Sequence, residues 1–233
     1  MESTGLPASC ANAGPTGIAL NEACKVSRAV PTLKATTASG VKPQVTPEKA
    51  RDWAIETSVQ GIRPSERMML KTGLQTMRRL KPDLSPDHVY ATAHLVNGGR
   101  SPQEKLVRMD QMVQICKSNP DITSDQIDDV ANFVDAGREP AEGALRAINV
   151  ARMYRSNPHL DAGVFKTATD YINSGKSMGD RDDRMSNVVQ ALRINPNITS
   201  RELQGLGRFL GDSRTAPNAW DMLKNTPAAF NYA

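Results

Sequence analysis

Apolar residues along most of this chain have the spacing of helices that bury one face. After Pro120 they recur three and four positions apart, as in an amphipathic helix, at Ile127, Val130, Ala131, Phe133 and Val134. Thr123 precedes this stripe and Gln126 stands three positions later, which is the pattern of a capping box. Gly137 follows the stripe, where we expect the left-handed backbone of a helix C-cap. The pattern predicts a first helix between Thr123 and Gly137.

A second apolar stripe begins almost at once, at Ala144, Ala147, Ile148, Ala151 and Tyr154. Pro140 precedes it and suits a first helical turn, because the N–H that proline lacks would have no partner there. Pro158 disfavours helical geometry in the residue before it, so the second helix should end at Asn157. The two stripes together predict a helix–turn–helix hairpin.

The hairpin pattern returns every 38 residues. Proline marks the same place in four successive units, at Pro82, Pro120, Pro158 and Pro196. Residues 38 positions apart keep the same polarity while their side-chain volumes differ, as in the column Val89, Ile127, Phe165 and Leu203. A fixed period in this range is typical of stacked helical repeats. We therefore predict an all-α fold, an α-solenoid of five helix–turn–helix repeats at about 42–80, 81–118, 119–156, 157–194 and 195–233.

The first and last units depart from the common pattern. Pro43 precedes Pro82 by 39 residues, which indicates a diverged N-terminal unit. Pro227 interrupts the second helix of the last unit. Terminal repeats are commonly atypical because one of their faces meets solvent.

Residues 1–41 have a different composition, rich in Gly, Pro, Ser, Thr and Ala and without a sustained apolar stripe. Such a segment buries too little apolar surface to offset chain entropy, so we predict a disordered leader. Its acids are Glu2 and Glu22, and its bases are Lys25, Arg28 and Lys34. This acid-poor start fits an organelle transit peptide, the leader of a bacterial type III secretion substrate, or a plain disordered tail.

The sequence gives little sign of chemistry. Its net charge of +4 is mild, and no apolar run approaches the ~18 residues that span a membrane. Cys10 and Cys24 lie in the leader, and Cys116 shares an apolar column with Tyr154 and Leu192, so no disulfide framework is indicated. No histidine or cysteine pair has zinc spacing, and no nucleophile–base set is visible. We therefore predict no enzyme activity, catalytic residue, metal or cofactor.

Basic residues also recur at the repeat period, in three rows. The first row follows the expected end of each first helix, at Arg100, Arg138, Lys176 and Arg214. The second row lies in the last turn of each second helix, where cations complement the helix dipole, at Arg79, Lys117, Arg155 and Arg193. The third row is Arg108, Arg146 and Arg184. The first row is either a set of solvated turn residues or a line of cations for an acidic partner or a phosphate backbone.

One unit resembles a known DNA-binding repeat. Leu84-Ser85-Pro86-Asp87-His88-Val89 is similar to the opening Leu-Thr-Pro-Glu-Gln-Val of a TAL-effector repeat, and Asn97-Gly98-Gly99-Arg100 resembles that family's base-reading pair and Gly-Gly-Lys turn. This repeat is longer than the family's, and the other units lose the opening text. The resemblance implies that a basic residue such as Arg100 touches phosphate after each reading pair. The residues that take the place of the reading pair in successive units are Asn97-Gly98, Asp135-Ala136, Asn173-Ser174 and Gly211-Asp212.

Two functions remain open. Stacked helical repeats usually bind proteins or peptides, and the exposed first-helix positions vary between units, at Asp87, Asp125, Gly163 and Arg201. With the leader, the whole resembles a helical-repeat type III effector that a bacterium delivers into a host cell to bind a host protein or peptide. Without export the protein would be cytoplasmic. The alternative is TAL-like binding of nucleic acid through the inter-helix turns, with Arg100, Asn97, Asp135 and Asn173 among the contacting residues.

Overall fold

The computed structural model describes residues 46–210, 216–226 and 230, and within these ranges the chain is helical, without strands. The predicted leader at 1–41, Pro43, the Gly211-Asp212 pair, Arg214 and Pro227 lie outside the described residues. Ten helices are described: α1 Pro47–Ser58, α2 Pro64–Leu80, α3 Pro86–Asn97, α4 Pro102–Ser118, α5 Ser124–Asp135, α6 Pro140–Ser156, α7 Ala162–Asn173, α8 Met178–Ile194, α9 Ser200–Leu210 and α10 Ala216–Asn225. The all-α prediction is confirmed.

The helices pack side by side in two sets. Each odd-numbered helix is paired with the even-numbered helix that follows it. Odd helices also pack on odd ones, and even helices on even ones, so that α3 lies against α5 and α4 lies against α6. We call the odd-numbered helices the first-helix layer and the even-numbered helices the second-helix layer. Contact between α5 and α7 is much looser than between α3 and α5 or between α7 and α9.

Local sequence signals explain where the helices begin. The side chains of Thr46, Ser85, Thr123 and Asp161 accept hydrogen bonds from backbone N–H groups in the first turns of α1, α3, α5 and α7. The predicted capping box at Thr123 is confirmed, because its hydroxyl accepts from the Gln126 N–H while the Gln126 side chain accepts from the Thr123 N–H. Each cap satisfies N–H groups that the helix itself leaves without partners.

The left-handed C-cap predicted at Gly137 is wrong. The C-cap residue of α5 is Ala136, which has right-handed geometry, and among the described glycines the positive φ belongs to Gly61. A Cβ atom at Gly137 would lie 2.9 Å from the Gly143 nitrogen and 3.2 Å from the Val134 oxygen. Glycine is therefore needed because α6 begins so close to the end of α5.

The predicted core columns are buried. The side chains of Val89, Ile127, Phe165 and Leu203 are at most 4% exposed. Cys116 is a free, fully buried thiol, and burial raises its pKa to about 12. Burial of each Val, Ile, Phe or Leu side chain in this column contributes about 1.5–3 kcal/mol to folding.

Polar side chains link each hairpin to the next. Lys81 donates to the Pro120 carbonyl at 2.8 Å, and Asn157 donates to the Pro196 carbonyl at 2.7 Å. His88 caps α3 through Nδ1, which accepts from the Ser85 N–H, and its Nε2 donates to the Ile122 carbonyl at 2.9 Å. Burial lowers the pKa of His88, which keeps its ring neutral and able to serve both partners. These bonds fix the position of one hairpin on another.

Candidate interaction surface

The first basic row starts with an arginine that is used inside the fold. Arg100 donates to the carbonyls of Gly137 and Arg138 in the next hairpin, at 2.8 Å and 2.7 Å. Both carbonyls belong to the turn between α5 and α6. Arg100 therefore holds neighbouring hairpin turns together, although its side chain keeps 39% of its surface exposed.

Arg138 and Lys176 of this row are exposed as well, but their side chains are not used within the fold. Their backbone N–H groups bond to the carboxylates of Glu142 and Asp180, at 3.0 Å and 2.8 Å. Their side chains make no hydrogen bond to another described residue. Two cations of the row, Arg138 and Lys176, are thus available to a partner among the residues that the structure describes.

The three residues predicted to read bases differ in whether their side chains are already bonded within the fold. Asp135 accepts a bond from Arg108 Nη1 at 2.5 Å, and Asn173 accepts one from Arg146 Nη1 at 2.8 Å. Asn97 is exposed, and its side chain makes no hydrogen bond within the described part of the chain. Contact with a base by Asp135 or Asn173 would have to compete with a bond to a buried arginine.

The third basic row is a repeated structural element. Arg108 and Arg146 are almost completely buried. Each donates through Nη1 to a carbonyl 13 residues earlier, Arg108 to Leu95 and Arg146 to Phe133, both at 2.8 Å. Arg184 makes the same contact with the Tyr171 carbonyl at 3.0 Å. In each of these three hairpins the arginine bonds the end of the first helix to the first half of the second helix.

An acidic residue one turn earlier completes each of these elements. Glu104, Glu142 and Asp180 pair with the arginine four residues later, at 2.6 Å, 3.0 Å and 2.8 Å. Hydrogen bonds from Arg181 and Arg146 and from the Arg138 N–H lower the pKa of Glu142 to about 2, although burial opposes the shift. The carboxylate therefore stays ionised inside the stack.

Ion pairs in the same column cross from one hairpin to the next. Lys105 pairs with Glu66 at 2.9 Å, and Arg181 pairs with Glu142 at 2.7 Å. Gly143 takes the equivalent place in α6, and Glu104 Oε1 occupies the space where a side chain at Gly143 would begin. The sequence signal that reveals these elements is an acidic residue four positions before an arginine, repeated at 38 residues.

The second basic row is exposed. Its members lie in the last turns of α2, α4, α6 and α8. None of the four side chains makes an ion pair or hydrogen bond with a residue that the structure describes: Arg79, Lys117, Arg155 and Arg193. A 17-residue second helix separates this row from the first by about 25 Å, so the two rows lie along opposite edges of the layer.

The two layers differ in charge. The odd-numbered helices contain ten acidic and five basic residues. The even-numbered helices contain eight acidic and fourteen basic residues. The acids of the first-helix layer are concentrated in α5, which has four aspartates and no basic residue. An acidic partner would therefore favour the second-helix layer, and a basic partner the first-helix layer.

Two grooves open on the first-helix layer. The α5–α7 groove has a volume of about 520 Å³, with Phe133 and Phe165 among its lining residues and Asp129, Asn132, Lys166 and Asp170 around them. A second groove of about 440 Å³ lies between α7 and α9 and is lined by Arg184, Arg201 and Arg208. The two grooves thus differ in charge, as the helices around them do.

The described ranges contain no cluster of three or more side chains that could hold a metal ion. None of the described helices is long and apolar enough to cross a membrane. No protein-family model, curated protein or solved structure matches this chain.

Proposed function

We propose that the chain is an α-solenoid scaffold of five helical hairpins that binds a protein partner through its first-helix layer. The helix positions support the stacking, because α3, α5, α7 and α9 begin at residues 86, 124, 162 and 200. The repeated arginine elements support it further, since they place the same bonds in successive hairpins. An array of this kind presents an extended surface.

The observation that carries the proposal is the contrast between buried and exposed columns. Buried positions keep their chemistry from hairpin to hairpin, whereas exposed first-helix positions change theirs. One exposed column is Asp87, Asp125, Gly163 and Arg201, and another is His94, Asn132, Asp170 and Arg208. A polymer with a regular backbone would need similar side chains at successive positions. Dissimilar side chains suit one folded partner with an irregular surface.

Nucleic acid is the second candidate partner. The four exposed and unpaired cations of the second row favour it, together with Arg138 and Lys176 of the first row. Phosphate contacts of this kind give binding that weakens steeply with salt. The bonds made by Arg100, Asp135 and Asn173 within the fold leave fewer groups available for a TAL-like contact.

Photocrosslinking distinguishes the two candidates. A photoreactive side chain is placed at Asn132 or Gln204 in the first-helix layer, and at Gln75 in α2 as the matched control. The full chain is then irradiated in extracts of candidate host cells. We expect discrete protein adducts from Asn132 and Gln204 and none from Gln75. Equal protein labelling at all three positions, or nucleic-acid adducts alone, would reject the scaffold.

Charge variants test the alternative directly. R100Q/R138Q/K176Q removes the described part of the first row, and R79Q/K117Q/R155Q/R193Q removes the second. If nucleic acid is the partner, one of these variants should lose micromolar duplex binding. Each phosphate contact removed should also make the affinity depend less steeply on salt than in the wild type. If the scaffold proposal is right, the wild type should show no such binding even at about 50 mM salt, where phosphate contacts are still strong.

We propose further that the protein is a bacterial effector delivered by a type III system and that residues 1–41 direct its export. The support is the acid-poor, Ser/Thr-rich composition of that segment beside a helical repeat region. A translocation reporter fused to the full chain should enter host cells, and the same fusion without residues 1–41 should remain in the bacterium. Equal export of both fusions would contradict the proposed role of residues 1–41.

A further inference from the structure

We propose that the α5–α7 groove receives a segment of the partner protein that carries an arginine or lysine beside an apolar side chain. This inference rests on the proposed scaffold function and names the chemistry of its partner. It is based on the separation of α5 from α7, on the side chains that line the groove, and on the charge at its α5 edge.

Two aromatic side chains account for the separation of the helices. Phe133 of α5 and Phe165 of α7 meet edge to face, with ring centroids 6.2 Å apart. At the closely packed α3–α5 contact the equivalent positions hold the aliphatic residues Leu95 and Ile127. Two rings need more space between helix axes than two aliphatic side chains do. The groove is therefore built into this one contact of the first-helix layer.

The floor of the groove is aromatic. Phe133 and Phe165 line it, and Tyr154 lies against Phe165 with ring centroids 6.3 Å apart. The volume of about 520 Å³ falls within the ~300–1,000 Å³ of typical binding pockets, which accommodates a few side chains rather than one. Both rings are almost fully buried, and the guanidinium of Arg146 already lies over Phe133, 4.6 Å from the ring centroid. They therefore offer a partner only a narrow strip of apolar surface, which suits an aliphatic side chain.

The α5 edge of the groove carries a negative charge without a partner. Asp129 is exposed and forms no ion pair with another described residue. Partial burial, together with the nearby charges of Asp125 and Asp128, raises the pKa of Asp129. A cation from a partner would relieve this repulsion, whereas an acidic group would increase it.

The α7 edge is already neutral. Lys166 pairs with Asp170 across one helical turn at 2.8 Å. The net charge at the groove therefore comes from α5, and it selects a basic segment over an acidic one. The neighbouring α7–α9 groove, with Arg201 at its edge, has the opposite preference and provides an internal contrast.

A displayed library of random dodecamer peptides, selected on the immobilised full chain, tests the proposal. We expect enriched peptides with an arginine or lysine near an apolar residue. The best peptide is then synthesised and titrated against the wild type and three variants by calorimetry. D129K reverses the charge at the groove, N132W fills the groove without removing a carboxylate, and D110K makes the same charge reversal on α4 as a control.

We expect the affinity for the peptide to fall about tenfold or more in D129K and in N132W. In D110K it should change less than about twofold. Matching circular dichroism spectra and unfolding midpoints establish that the variants fold. Enrichment of acidic peptides, no enrichment, or equal binding to D129K and wild type would overturn the inference. The scaffold would survive those results if Asn132 and Gln204 still gave protein adducts, so the two failures can be told apart.

Discussion

Replacing Glu142 with glutamine should destabilise the fold by about 3–5 kcal/mol, the usual cost of breaking a buried ion pair from one side. The Glu142 carboxylate is almost fully buried and bonds to Arg146 in its own helix and to Arg181 in α8. Glutamine keeps the shape but leaves both guanidinium groups without a counter-charge. Urea unfolding followed by circular dichroism should show a lower midpoint with an unchanged m-value.

Asp180→Asn is the matched control for this change. Asp180 occupies the same position in α8 and pairs with Arg184, but about a third of its side chain is exposed. Water can replace the lost interaction there, so the loss of stability should be much smaller than for Glu142→Gln. Equal effects of the two substitutions would mean that burial of the Glu142 pair has no energetic importance.

The same residue predicts a pH dependence. The pKa of Glu142 is lowered to about 2 by its hydrogen bonds, below the ~4.3 of an unfolded glutamate. The unfolded chain therefore binds this proton more readily. The stabilisation is complete above the unfolded pKa and is lost as pH falls from about 5 towards 2. Acid titration of the unfolding midpoint should be steep in this window for the wild type and flatter for Glu142→Gln.

Substituting Gly143 with alanine should cost about 3 kcal/mol, although alanine normally stabilises a helix interior by about 1 kcal/mol relative to glycine. A methyl group at this position would overlap Glu104 Oε1 and come within 3.3 Å of Arg108 Nη2. The buried Glu104–Arg108 pair would have to move to accommodate it. Thermal or urea unfolding measures the loss.

Gly179→Ala makes the same substitution in α8, where a Cβ atom would meet the Ser177 hydroxyl at 3.9 Å, an ordinary contact. We expect this variant to be more stable than the wild type by about 0.5–1 kcal/mol, because alanine restricts the unfolded chain. Similar gains from both substitutions would show that Glu104 can leave the space above Gly143 at little cost.

The helices were predictable because their signals are local. Thr123, Gln126 and Pro158 act on backbone groups within a few residues, so their effect can be read from neighbouring letters. Gly137 misled the prediction because α6, rather than the backbone of its own turn, determines its role. A glycine after an apolar stripe looks the same in both cases.

The candidate site was less predictable than the helices. The burial of Arg108 and Arg146 was not predicted, since arginine is rarely buried unless it is paired. Their partners include carbonyls 13 residues away and side chains 27 residues away, which no helical pattern brings together. The α5–α7 groove depends on two phenylalanines from different hairpins. Each fits its own apolar column, and their meeting becomes apparent only in three dimensions.

The loose contact between α5 and α7 has a mechanical consequence. On the opposite side of the same junction, Arg181 and Glu142 hold α8 to α6 through two short bonds. A set of helices that is held firmly along one layer and packed loosely along the other bends most easily about the firmly held side. Flexing of the helical region should therefore concentrate at this junction, and whatever fills the space between α5 and α7 would set the angle between the helices on its two sides.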